Sequence, residues 1–436
     1  MQPLLTRDAS ADAMPRRTGA NFLRLLRGRG VAALLMLAAM ALMARALPAA
    51  DFGFVMLLHS FVLAAYGLVN PKPFEAVVLY GTRHAGQPER IEQLLRLTLL
   101  LDLATVAVAL VLAWFAAAGL AGAFGWSDQQ LALARGYSMV LVTSASGWAS
   151  GVLRLYDRFD VIANHRVVQG VVMLAGAAVA AVVDAGLVAF LVVQGLAFAA
   201  HKFYLQRAGW REIRRYHPRA PLFGPALRAR RRRYPGLGRF LWITYWQGNL
   251  DLFPKHLVVL GAGAFVGEAA AGVYRLVAQT TRVVSGPALL LRQVLFPDLA
   301  RLWRAAPDEY RQLLHRILTW SALVAALLVV ATFGFGETLV VALFGEPYRE
   351  GASLLVWLML AAGLDLTTSV MRAGLYARAR AGIVLTAHAV GVALHAATFI
   401  PLVLVAGLAG AGAAAAIGSV VITGLVLRAS VRQSRY

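Results

Sequence analysis

The stretch Phe240–Leu299 places polar side chains inside two apolar segments, each long enough to cross a bilayer. A short turn rich in glycine and alanine, Gly261–Gly272, separates the two segments. An ionisable side chain at the middle of a membrane helix costs about 2.5–3.5 kcal/mol or more. The polar groups must therefore face a helix bundle or a water-filled path, and not lipid. They are Asn249, Asp251, Lys255, His256, Arg275 and Arg282.

Composition supports a polytopic membrane protein. Hydrophobic residues make up 60% of the 436 residues, whereas a soluble domain is about 45–50% apolar. The chain has no cysteine, which excludes disulfide frameworks and cysteine-ligated zinc. Lysine and arginine outnumber aspartate and glutamate by 42 to 21. Because most basic residues lie between apolar spans, we interpret them as a signal for membrane topology and not as a nucleic-acid surface.

Apolar segments of about 20 residues, enough to cross a hydrocarbon core of about 30 Å, recur along the chain. We predict an all-α polytopic fold with twelve transmembrane helices. The predicted spans are 30–48, 52–71, 96–118, 132–153, 162–183, 186–206, 240–260, 269–292, 317–337, 351–373, 382–405 and 408–428. The predicted domains are an N-terminal tail (1–29), a six-helix bundle (30–206), a basic linker (207–239), a second six-helix bundle (240–428) and a tail (429–436).

The loops between these spans alternate in charge. Odd-numbered loops are short and acidic, with residues such as Asp51, Asp128 and Asp184, and even-numbered loops carry most of the arginines. Basic loops stay in the cytoplasm, so we expect both termini inside. The middle loop has eleven arginines and one acid, Glu212. We interpret it as a cytoplasmic linker. Binding to anionic lipid head groups, at about 1 kcal/mol per basic residue, is the functional alternative.

A faint internal similarity supports a duplicated architecture. The first hairpin reads AADFGFV and the seventh reads AAAGVYR, with Gly53 and Gly272 lying 219 residues apart. A tight turn between antiparallel helices would by itself favour glycine at both places. Together with six spans on each side of the middle loop, the match favours the repeated-bundle arrangement common among secondary transporters.

Several charged residues are candidates for lining a path. Asp251 and Lys255 lie four residues apart and would share one face of a helix. They form either an internally neutralised pair or an anion-binding, lumen-facing site. Arg275 and Arg282 lie two turns apart on one face of the next helix, and arginine stays charged in any plausible setting. Arg45 ends the first span and is expected at the outer mouth.

A second group consists of residues that could couple transport to an ion. Asp102 and Asp365 lie inside the third and tenth spans, and His388 and His395 are seven residues apart in the eleventh. Histidines near a carboxylate can relay protons. The alternative is that each histidine only satisfies a local hydrogen bond. Gly286–Pro287 and Pro401 would permit helix bending.

Three runs of sequence resemble a known family. They are ARALPAADFGFVMLLHSFV, GEAAAGVYRLVAQTTRVVSGPALLLRQVLFPDLARL and LFGEPYREGASLLVWLML. These runs are similar to the first hairpin, helices seven and eight, and the ninth-to-tenth connection of the polysaccharide-exporting flippases. These are Wzx-type members of the multidrug/oligosaccharidyl-lipid/polysaccharide superfamily.

The resemblance implies a MATE-like fold of two six-helix bundles around a central cavity that opens alternately to each side of the bacterial inner membrane. It implies a polyprenyl-diphosphate-linked oligosaccharide as substrate, hence a role in lipopolysaccharide, O-antigen or exopolysaccharide biosynthesis. Anionic lipids and other polysaccharide-assembly proteins are the further expected partners. An anionic diphosphate also agrees with the basic side chains found in the spans.

Three alternatives stay open. A drug or organic-cation exporter of the same superfamily would need acidic groups in its path. A membrane polysaccharide polymerase would need a large outer loop, and no phosphate loop, paired-histidine zinc motif or G-x-S-x-G elbow is present in the sequence. A peptidoglycan-precursor flippase commonly carries extra helices. We therefore expect a transporter, with no catalytic residue, metal, cofactor or nucleic-acid partner.

Overall fold

The computed structural model describes residues 13–84, 86–217, 234–283, 306–378 and 380–431, and every regular element in these ranges is helical. Eight helices are long and apolar enough to cross a membrane. The all-α polytopic fold predicted from the sequence is therefore confirmed. The helices are α1 (Ala13–Ala46), α2 (Ala49–Val69), α3 (Pro73–Arg83), α4 (Pro88–Phe124), α5 (Asp128–Ser138), α6 (Gly147–Leu155), α7 (Phe159–Val182), α8 (Leu187–Tyr216), α9 (Leu237–Leu250), α10 (Val258–Val266), α11 (268–283), α12 (Pro307–Phe344), α13 (Gly351–Ala377) and α14 (Ala381–Val431).

The helices follow the predicted spans, with breaks inside two of them. Helix α14 has non-helical backbone at Ala406 and Gly407, where Gly407 has φ 55°, and this break lies at the predicted boundary between the eleventh span (382–405) and the twelfth (408–428). The break falls there and not at Pro401, which lies within regular helix. The predicted fourth and seventh spans are each interrupted. The eighth, α11, reaches the limit of the described residues at 283, so the bend expected at Gly286–Pro287 lies outside them.

The chain packs into two units. The first unit comprises Met1–Met36 and Leu58–Leu252, and the second comprises Leu37–Leu57 and Phe253–Tyr436. The segment Leu37–Leu57 thus belongs with the C-terminal half, although the sequence assigned it to the first bundle. The predicted linker also starts too early, because α8 continues through Arg207 to Tyr216. The other predicted domain limits stay predictions.

In the first unit, a break in the fourth span is the main irregular feature inside the membrane segments. Helix α5 passes into a 3-10 turn, Met139–Ser144, and α6 begins only at Gly147. The break frees main-chain carbonyl groups, which side chains then satisfy. Gln206 Nε2 donates to the carbonyls of Thr143 and Ala145 at 3.0 and 3.2 Å. Irregular backbone at membrane depth is tolerated where protein groups satisfy it in this way.

In the second unit, the two glycines matched in the sequence contact each other. A Cβ atom on Gly272 would lie 3.0 Å from the Cα of Gly53, and one on Gly53 would overlap the carbonyl oxygen of Glu268. The turn before α11 is made by a third glycine, Gly267, at φ 119°. Small residues let helix backbones approach this closely in a membrane, so the start of α2 packs directly on the start of α11.

Candidate functional site

The predicted seventh span is broken at the place where its charged residues lie. Helix α9 ends at Leu250, and Phe253–Leu257 forms a π-helical turn before α10 begins. Pro254 lies in this turn and lacks the N–H that a regular helix would need. Single π-turns inside helices are frequent at functional sites. The π-turn interrupts the regular α-helix between Asp251 and Lys255, and whether these residues form a neutralised pair or an anion-binding site stays a prediction.

Four basic residues of the second unit lie together around this turn. The positive charges of Arg275, Arg282 and Lys255 all act on the ring of His256, so α11 runs beside the π-turn. We call these four residues the second-unit cation cluster. Arg275 is half-buried, while Lys255 and Arg282 are exposed. In the part of the chain that the structure describes, no carboxylate acts on His256 or Arg275.

Two other predicted path residues belong to the first unit. Asn249 donates through Nδ2 to the carbonyl of Tyr245 at 3.0 Å, and its Oδ1 is buried without a hydrogen-bond partner among the described residues. Asp251 is half-buried and caps the end of α9. Asn249 lies in the last turn of α9 and Asp251 directly follows its end, one turn before Lys255 in the sequence.

Arg45 has a structural explanation that the sequence did not suggest. Its guanidinium donates to the carbonyls of Leu343, at 3.1 Å, and Ala342. Both carbonyls lie in the last turn of α12, which ends at Phe344. A cation at a helix C-terminus satisfies free carbonyls and interacts favourably with the helix dipole. Arg45 therefore fastens the end of α1 to the end of α12.

Asp102 is the most deeply buried of the four predicted ion-coupling residues. One carboxylate oxygen accepts a hydrogen bond from the main-chain N–H of Trp148 at 2.6 Å, at the start of α6. The main-chain N–H of Gly147, the first residue of α6, also interacts with this carboxylate. The charge of Lys202 acts on this carboxylate. Asp102 therefore caps α6 at the break in the fourth span.

The other three candidates for ion coupling have different surroundings from those of Asp102. Asp365 is about half exposed and forms an ion pair with Arg372 of the same helix, Oδ1 to Nη1, at 3.3 Å. His395 is buried against the rings of Phe253 and Phe399, with centroids 5.1 and 6.4 Å away. No carboxylate among the described residues acts on His395, and His388 is half-buried. Arg372 was missed, although an arginine inside a predicted span was a visible signal.

A second group of basic residues, in the first unit, was also missed. Electrostatic repulsion links five basic residues: Arg29 of α1, His165 and Arg166 of α7, and His201 and Lys202 of α8. We call these five residues the first-unit cation cluster. The sequence carried a signal for it, because the dipeptides His165–Arg166 and His201–Lys202 both lie inside predicted spans. The signal was overlooked because basic residues near the end of a span commonly extend to the membrane interface and need no binding role.

Comparison with solved structures defines the class of protein. The chain is similar to a structure described as lipid II flippase MurJ in an inward closed conformation, with a TM-score of 0.71, 12% identity, and 94% of this chain and 87% of that chain covered. It is also similar to an inward-facing multidrug resistance MATE family transporter of the MOP superfamily, with a TM-score of 0.63, 14% identity, and 94% of each chain covered. The fold is therefore that of MATE-like membrane transporters.

Sequence comparison then gives the family. The chain belongs to the polysaccharide biosynthesis protein family, whose model matches residues 42–353. It is also 26% identical over 335 residues to "Inner membrane protein YghQ" of Escherichia coli (strain K12), covering 74% of this chain and 92% of that protein. The flippase family predicted from the three sequence runs is confirmed at this level.

Proposed function

We propose that this protein moves a polyprenyl-diphosphate-linked oligosaccharide across the inner membrane, with the diphosphate head group contacting the second-unit cation cluster. The observation that carries the proposal is the grouping of Lys255, His256, Arg275 and Arg282 around a π-turn, with no carboxylate acting on His256 or Arg275 within the described residues. Charge-assisted hydrogen bonds to phosphate suit such a group.

The sign of these charges argues against export of organic cations. A cationic drug would be repelled by the three positive charges of Lys255, Arg275 and Arg282, since like charges near one another are unfavourable. The family match to polysaccharide biosynthesis proteins points to a glycan-bearing lipid instead. The apolar polyprenyl tail can stay in the bilayer while the sugars and the diphosphate cross through the protein.

We further propose alternating access between two faces of the membrane, coupled to an ion gradient. Asp102 is the residue that we retain as the candidate for coupling, because it is a buried carboxylate at a helix break. Asp365 is paired with Arg372, which makes it less available for a transported ion. The coupling ion stays open between proton and sodium.

Deletion of the gene tests the transport reaction. We expect loss of the surface polysaccharide together with accumulation of the lipid-linked intermediate in the inner leaflet, measured by lipid extraction and by protection from an external glycosidase. Intermediates that reach the outer leaflet at the normal rate in the deletion strain would refute the proposed function.

Substitution within the cluster tests the site. Arg275→Gln and Arg282→Gln remove a charge-assisted contact of about 1.5–3 kcal/mol, so we expect the initial rate of export to fall roughly tenfold or more. Arg316→Gln is the matched control, because Arg316 is an exposed arginine of α12 outside the cluster. Equal export by all three variants, at equal protein levels, would remove the cluster from the path.

A further inference from the structure

In the first unit, helices α1 and α7 pack closely enough to bring two arginines together. A Cβ atom on Gly28 would lie 2.8 Å from the carbonyl oxygen of Ala163, and one on Gly170 would lie 2.7 Å from the Cβ of Leu35. These contacts fix the two helices at close range on both sides of Arg166. The charge of Arg29, next to Gly28, acts on the charge of Arg166.

Helix α8 completes the group from the other side of α7. The rings of His165 and His201 have centroids 5.9 Å apart, and each histidine is followed directly by a basic residue, Arg166 and Lys202. The charge of Arg166 also acts on Lys202. Three cationic side chains from three helices therefore converge in one part of the unit.

Lys202 is held in place by its surroundings. Its Nζ lies 3.3 Å from Ser146 Oγ at the break before α6, and it approaches the rings of Phe198 and Tyr66, at 5.4 and 5.9 Å from their centroids. An ammonium over an aromatic face is attracted by the ring electrons. The side chain is thus positioned rather than free to reach for bulk water.

The charges of this group do not balance. Asp102 acts on Lys202, but among the described residues no carboxylate acts on Arg29 or Arg166. Arginine does not lose its proton in a protein. Arg154 also lies near Arg29, but Glu75 offsets its charge. Three cations and one carboxylate therefore leave an excess positive charge, and such charges in membrane-spanning helices are costly unless a counter-charge meets them.

A ligand can reach these side chains. Arg29 and Arg166 are exposed and Lys202 is half-buried, so none of the three is closed off completely by the surrounding helices. Arg166 lies near the start of α7, beside the short loop that carries Arg154 and Arg158. The charge pattern of the loops assigns that end to the cytoplasm.

We propose that Arg29, Arg166 and Lys202 form a second phosphate site, which receives the diphosphate head group of the lipid-linked cargo on the cytoplasmic side before transport. This inference rests on the proposed function, because it gives the same cargo an entry site on the first unit. The guanidinium groups offer bidentate donors to phosphate oxygens and Lys202 adds a point charge. Asp102 then neutralises Lys202 when the site is empty.

Binding of geranylgeranyl diphosphate to the purified full-length protein in detergent tests the site. We expect saturable binding by isothermal titration calorimetry, with Arg166→Gln and Lys202→Met each raising Kd roughly tenfold. Arg166→Lys keeps the positive charge but loses the paired donors of the guanidinium group, so it should bind more tightly than Arg166→Gln and less tightly than the wild-type protein. The matched control is Arg135→Gln, because Arg135 lies in the same unit but packs over Trp114. Thermal unfolding and size-exclusion profiles establish that each variant is folded.

Two further probes identify the source of the phosphate. Geranylgeraniol, which lacks the diphosphate, should not bind. Phosphatidylglycerol should compete weakly; equal competition would overturn the inference in favour of an ordinary anionic-lipid contact. Unchanged binding by folded Arg166→Gln and Lys202→Met would also overturn it.

The same experiment separates this inference from the proposed function. If Arg275→Gln and Arg282→Gln lose affinity while Arg166→Gln and Lys202→Met do not, the proposed function stands and the second site fails. If the wild-type protein does not bind geranylgeranyl diphosphate at all, and deletion of the gene leaves the lipid-linked intermediate on its normal course, then the proposed function itself fails.

Discussion

The two units carry charge into the membrane in different ways. In the first unit, one of the cations, Lys202, interacts with a buried carboxylate, Asp102, which caps α6. In the second unit, His256 and Arg275 lie beside a π-turn and no carboxylate of the described residues acts on either. Asp365, the acid in the tenth span of the second unit, forms an ion pair with Arg372.

Basic residues inside the spans therefore fall into two kinds, those with a partner in the fold and those without one among the described residues. Arg45 donates hydrogen bonds to main-chain carbonyls and Arg372 pairs with a carboxylate, so their positions are explained by the fold. Arg166 and Arg275 have no such partner among the described residues. Because an uncompensated charge in a membrane protein is costly, the second kind is the better candidate for ligand binding.

The largest expected loss of stability comes from replacing a closely packed glycine of the second unit. Gly53→Ala should destabilise the protein by on the order of 3 kcal/mol or more, because the added methyl group overlaps a main-chain carbonyl that cannot move aside easily. Thermal unfolding in detergent measures the change. Gly119→Ala, in the interior of α4 with no atom within 4 Å of the added Cβ, is the control and should be neutral or slightly stabilising.

A loss of stability of intermediate size is expected when the acids of the two units are replaced. Asp102→Ala leaves the buried N–H of Trp148 without an acceptor, so we expect a loss of about 1–3 kcal/mol. Asp102→Asn keeps an acceptor oxygen and should cost less. Asp365→Ala, at a side chain that is about half exposed, should cost less than Asp102→Ala. If the two alanine variants unfold at the same temperature, the contrast between the units is not supported.

The smallest expected effect concerns Arg45. Arg45→Ala removes the donors at the end of α12, and a cation at a helix C-terminus contributes about 0.3–1 kcal/mol. We expect a small fall in the unfolding temperature and export close to that of the wild-type protein. Export that falls as far as in Arg282→Gln would instead return Arg45 to the substrate path.

Much of the fold was predictable because membrane spans are defined by length and hydropathy. Within the described residues, the predicted spans missed the short helix α3 and the breaks at Met139–Ser144 and Phe253–Leu257. Hydropathy does not register a change of helix type inside a span. The sequence assigned Lys255, His256, Arg275 and Arg282 to one cationic path because ionisable groups in a span cannot face lipid. Whether those residues bind cargo stays a prediction.

The sequence by itself determined the all-α membrane class, the approximate position of each span and the family, because these depend on local composition and on short motifs. Only the tertiary structure decided which charges are neutralised. The groups that contact Arg45 and Asp102 come from helices far away in the chain, and so does Arg29, the like charge near Arg166. Electrostatic energy depends on distance in space and falls off over a few ångströms, so the order of residues along the chain does not specify it.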